Sequence, residues 1–67
     1  MTTEIELFRA RADEAGTAAA RSDLDNVRER HLRSQAAWEA MAVRAERVAT
    51  QRALNEAEKE ARALISA

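Results

Sequence analysis

Sixty-seven residues with a net charge of −1 allow one small domain and exclude a bulk electrostatic pull toward nucleic acid or acidic lipid. A single chain of this size rarely builds a core giving more than ~3–5 kcal/mol without cross-links, a metal or oligomerisation, and the absence of cysteine removes disulfides and thiolate metal sites. The 46% hydrophobic fraction is largely alanine, with one glycine, no proline and 34% charged residues, a composition of long helices and coiled coils rather than of disorder.

The first segment, residues 1–7, is acidic and has no apolar h-region, so no signal peptide is expected. Thr3 is the expected N-cap of a first helix, with Glu4 and Glu6 in the turn where the helix dipole favours negative charge. Ile5, Phe8, Ala12, Ala15 and Ala19 recur at steps of three and four and fall on one face. Gly16 either sits inside this helix at a cost of ~1 kcal/mol or ends it as a C′ residue. The alanines at 18–20 favour continuation, so the first helix is expected over about 3–20.

Ser22-Asp23-Leu24-Asp25-Asn26 is the clearest punctuation in the chain, and a turn is expected at 21–23. Ser22 with Asp25, or Asp23 with Asn26, offers side-chain oxygens to the first free amides of a second helix. A connection this short makes the two helices antiparallel neighbours. The second helix then runs over about 24–65 with no breaker. At ~1.5 Å per residue it would reach ~65 Å against ~27 Å for the first, so its far half has no cover from its own chain.

Two stripes run along this second helix. The first carries Leu24, Val27, His31, Ser34, Trp38, Met41, Ala42, Ala45, Val48 and Ala49, within ~120° of the wheel. Counting back from the turn brings Ile5 and Phe8 to Trp38 and Met41. The expected hairpin core is therefore Ile5, Phe8, Leu24, Val27, Trp38, Met41 and Val48, and truncation of Trp38 to Ala is expected to cost ~3–5 kcal/mol. The second stripe is Leu32, Val43, Leu54 and Ile65 at intervals of eleven, with Ala36, Ala57, Ala61 and Leu64 beside them. An eleven-residue repeat is ~3.67 residues per turn, so supercoiling is weak. This stripe lies ~140° from Trp38, where the first helix cannot reach it. Leu32, Val43, Leu54, Leu64 and Ile65 are thus read as an interchain seam. Beyond Val48 the first stripe turns polar at Arg52, Glu56 and Glu60.

Residues suited to catalysis are few. There is one His and no Cys, Tyr or Gly-rich loop, and Arg28 rather than a glutamate stands three residues before His31, so a bundle di-metal motif is not formed. No catalytic residue, cofactor or metal is expected, and His31 reads as a boundary histidine beside the core. Arg30, Arg33, Arg44 and Arg47 line the polar back of the second helix, and arginine suits phosphate recognition. Glu29, Glu39, Glu46 and Glu58 interleave with them, and that face has no aromatic for base stacking, which favours a solvated, ion-paired surface over nucleic acid.

The run Asp25-Asn-Val-Arg-Glu-Arg-His-Leu-Arg-Ser-Gln-Ala-Ala-Trp-Glu-Ala-Met-Ala42, preceded by Phe8-Arg-Ala-Arg-Ala12, resembles a group of short alphaproteobacterial two-helix proteins. The resemblance covers roughly residues 8–50. It implies a bacterial, intracellular setting and brings no activity, cofactor or catalytic residue with it.

The expectation is an all-α antiparallel hairpin spanning 1–67, with a short first and a long second helix, dimerising into a four-helix bundle or a coiled-coil-like assembly. Its function is read as a non-enzymatic interaction or assembly module, cytoplasmic, with no membrane partner, since no apolar run approaches the ~20 residues that span a bilayer. The alternative is a small RNA-binding hairpin dimer using the Arg30/Arg33/Arg44/Arg47 face, broadly similar in size and architecture to four-helix plasmid copy-number regulators.

Overall fold

The computed structural model describes residues 3–66 as two helices, α1 (Glu4–Arg21) and α2 (Asp25–Ser66), packed as an antiparallel hairpin with arms of 18 and 42 residues. Met1, Thr2 and Ala67, part of the expected 1–67 domain, lie outside the described residues. The molecule extends 65 × 22 × 10 Å. Its radius of gyration, 18.4 Å, far exceeds the ~11 Å of a compact chain of this length.

Each end of α1 has a local cause. Thr3 is extended (φ −76°, ψ 161°), and its hydroxyl accepts from the Glu6 amide at 3.1 Å. The Glu6 carboxylate accepts in return from the Thr3 amide at 3.3 Å, which completes a capping box. The helix passes through Gly16 without interruption, and no described residue has a positive φ. It stops at Ser22, whose extended backbone (φ −83°, ψ 129°) turns the chain away while its amide still donates to the Ala19 carbonyl at 3.2 Å.

The connection to α2 differs from the expected side-chain caps. Among the described bonds, the Ser22 hydroxyl donates to the Leu24 carbonyl at 3.3 Å instead of accepting from an α2 amide. Leu24 supplies the first carbonyl of α2, accepting from the Arg28 amide at 2.9 Å. The Arg28 guanidinium then folds back, donating to the Ser22 carbonyl at 2.8 Å and to the Asp25 carboxylate at 3.3 Å. Arg28 therefore ties the last turn of α1 to the first turn of α2.

The two helices meet through small residues. Among the described residues, the buried ones are Ala12, Ala15 and Ala19 of α1 and Ala42 of α2, and no large side chain is fully buried. Alanine at a helix crossing lets the backbones come to the short end of the ~8–10 Å range of interaxial distances. Gly16 sits at this close contact. A β-carbon there would meet Gln35 Nε2 at 2.6 Å and Cδ at 3.2 Å.

The obstructing atoms are the far end of a flexible side chain, so they can move aside. Glycine, meanwhile, costs about 1 kcal/mol against alanine within a helix. Gly16→Ala is therefore expected to stabilise the hairpin by about 0.5–1 kcal/mol, seen as a rise of several degrees in the far-UV circular dichroism melt. A lower melting temperature would mean that Gln35 is held in place by the packing around it.

Candidate functional site

The hairpin face of α2 is built from Val27, His31, Gln35, Trp38 and Ala45, all half-buried, around the buried Ala42. Opposite them Ile5 and Phe8 are half-buried on α1, and the Phe8 and Trp38 rings lie 5.9 Å apart with planes inclined by 34°. Three residues expected in the core are exposed. Leu24 is 64% accessible because it precedes the first residue of α2 and so does not continue that helix's stripe. Met41 and Val48 are exposed because they stand at the edge of the contact, and a single covering helix does not wrap that far round.

Met41 and Val48 line instead a depression of about 440 Å³ where α1 begins. Ile5, Phe8, Ala45 and Ala49 share its wall with Arg44 and Arg52. It exists because α1 starts at Glu4 while α2 runs on past it, so the large side chains at the end of the contact have cover from one side only. On the sequence alone the same four large residues, Ile5, Phe8, Met41 and Val48, read as interior. The available signal was the position of Thr3 as the N-cap, which marks where the cover ends.

One ion pair crosses between the helices among the described residues, Arg9 with Glu46. The Glu46 carboxylate, first as hydrogen-bond acceptor and then as neighbouring charge, raises the Arg9 guanidinium above its ordinary pKa. Both side chains are about half accessible, so solvent screening leaves this pair with a role in register more than in stability. The remaining pairs, Arg11–Glu14, Arg28–Asp25 and Arg62–Glu58, lie within one helix or at its start.

The seam residues all lie on α2 and all face solvent: Leu32, Val43, Leu54, Leu64 and Ile65. Val43 and Leu54 are 42% and 54% accessible, and Ile65 is 84% accessible. From residue 47 to residue 66 every position is exposed. The accessible surface of the chain, 5653 Å², exceeds by about 1,400 Å² the ~4,250 Å² of a compact monomer of 7.5 kDa.

Arg30, Arg33, Arg44 and Arg47 are exposed, Arg44 at the rim of the depression beside α1 and not with the others on the back of α2, and among the described residues none of the four is in an ion pair. No helix among the described residues is long and apolar enough to cross a membrane, and none of their His, Asp or Glu side chains form a group of three or more that could hold a metal ion. No protein-family model, curated protein or solved structure matches the chain.

Because Trp38 is half-buried rather than enclosed, its truncation leaves less of a cavity than the full-core expectation assumed. Trp38→Ala is expected to destabilise the hairpin by about 2 kcal/mol, below the ~3–5 kcal/mol of an enclosed tryptophan. Chemical denaturation followed by circular dichroism measures this directly.

Proposed function

We propose that this chain is a non-enzymatic assembly module that acts through the exposed apolar stripe of α2, in a homo-oligomeric helical bundle whose smallest form is a dimer. One observation carries the reading. Among the described residues the hairpin fully buries only alanines, while Leu32, Val43, Leu54, Leu64 and Ile65 stay exposed on one long helix. Helix propensity alone leaves helices marginal in water, and most helical stability comes from packing an apolar face. A tail of exposed residues of this length gains that packing from another chain. The excess of about 1,400 Å² is well above the ~800 Å² that each partner contributes to a stable interface. We read its setting as cytoplasmic.

Val43→Glu and Leu54→Glu place a charge in the stripe without touching the α1 contact. Each is expected to shift the species to monomer by light scattering while leaving the hairpin helical. Unchanged mass and melting point in both variants would remove the stripe as an interface.

A second reading is favoured by Arg30, Arg33, Arg44 and Arg47, which form no ion pair among the described residues and so hold guanidinium groups available to phosphate. In it, a dimer of hairpins binds folded RNA through these arginines. Affinity for cellular RNA would then fall steeply with salt, and Arg30→Ala or Arg47→Ala would each reduce the slope by about one. Absence of RNA retention at low salt would eliminate it.

A further inference from the structure

Resting on the assembly reading, we infer that the partner of the α2 stripe is a second copy of this chain, packed antiparallel about a two-fold axis that passes between Val48 and Ala49. A two-fold interface uses the same patch on both subunits. In an antiparallel pair of identical helices, residue i then lies opposite residue 97 − i of the other copy. Leu32 meets the partner's Ile65, Ala36 meets the partner's Ala61, and Val43 meets the partner's Leu54, while Arg47 and Thr50 of both copies gather at the axis.

Evenly spaced positions on a helix always admit some such pairing. Matched chemistry at every rung does not follow from spacing, and here large apolar residues face large apolar residues and alanine faces alanine. The polar residues fall at the centre, where the Arg47 side chains of the two copies share a flank at the solvent edge of the seam. Sliding the copies by one eleven-residue repeat leaves one of the four large residues without a counterpart within α2 and sets Ala36 against the partner's Thr50.

The flanks agree with the same register. In an antiparallel two-fold pair, a flank of one helix meets the identical flank of the other. On a ~100° wheel Glu39 and Ala57 fall on one flank, Ala40 and Glu58 on the opposite one. Glu39 therefore stands over the partner's Ala57, and Glu58 over the partner's Ala40, so the glutamates of the two copies avoid one another. Arg33 and Arg44 share the flank of Glu58 and stand about one to two turns on either side of the partner's Glu58.

The space is available. The stripe lies ~130° around α2 from the α1 contact, so a second helix and α1 occupy different sides without collision. In this register the partner's residues 49–66 lie beside residues 31–48, and each projecting tail is covered by the other chain's hairpin half. The surface in excess of a compact monomer suffices for such an interface.

The chain has no cysteine, so introduced thiols report on contacts cleanly. Val43→Cys and Leu54→Cys full-length chains, each checked for unchanged helicity, are mixed and treated with a short bis-maleimide. The mixture is expected to give covalent dimer, and either variant alone only traces, because like positions are then offset by eleven residues or ~16 Å. Ala36→Cys mixed with Ala61→Cys provides an independent pair with the same expected pattern. Efficient coupling of Val43→Cys to itself would overturn the proposal in favour of parallel pairing or of the antiparallel register slid by one repeat. A dimeric mass with no coupling in either mixture would also overturn it while sparing the assembly reading. A monomeric mass for the unaltered chain would overturn both.

Discussion

A helix packed against a single neighbour hides one stripe, on the order of 100° wide, and leaves the rest of its circumference to solvent. Almost everything about this molecule follows from that constraint applied to arms of 18 and 42 residues. The contact with α1 claims the Ala42 side of α2 along half its length. Residues on other sides, and all residues of the far half, must be polar, remain exposed, or meet another chain.

The hairpin contact itself is thin. Its enclosed residues are alanines, which permit close approach but remove little apolar surface from water. The larger side chains, Ile5, Phe8, Val27 and Trp38, are only half-covered because no third element closes over them. What makes the arrangement specific is mostly local and polar. The Thr3–Glu6 capping box sets where α1 begins, Arg28 fastens its last turn to α2, and Arg9 with Glu46 sets the relative level of the helices. Specification of the hairpin and stabilisation of α2 thus come from different parts of the chain.

The helices were legible in the sequence because their signals are local. The Thr3 cap, the lack of glycine and proline after residue 16, and the Ser22–Asn26 punctuation depend on neighbours a few residues away. The eleven-residue stripe was legible as a pattern, and the structure places its members on the open side of α2. The depth of burial was not legible, since it depends on how far round α2 the covering helix reaches. Wheel arithmetic put Met41 and Val48 on the α1 side without indicating that they lie at its edge. Leu24 was misplaced for another reason: the stripe was extended across a residue that belongs to the connection. The back-folding of Arg28 left no pattern to read, because it needs Ser22 to be extended first.

Trp38 is the chain's only tryptophan, and it lies against Phe8 in the half where α1 covers α2. Beyond residue 47 there is no aromatic at all. The intrinsic fluorescence of the molecule therefore comes entirely from the hairpin half, whereas its far-UV helical signal comes from both halves, and the tail contributes to that signal alone. The two halves carry separate optical signatures without any label, so parting of the arms and fraying of the tail are spectroscopically distinct events.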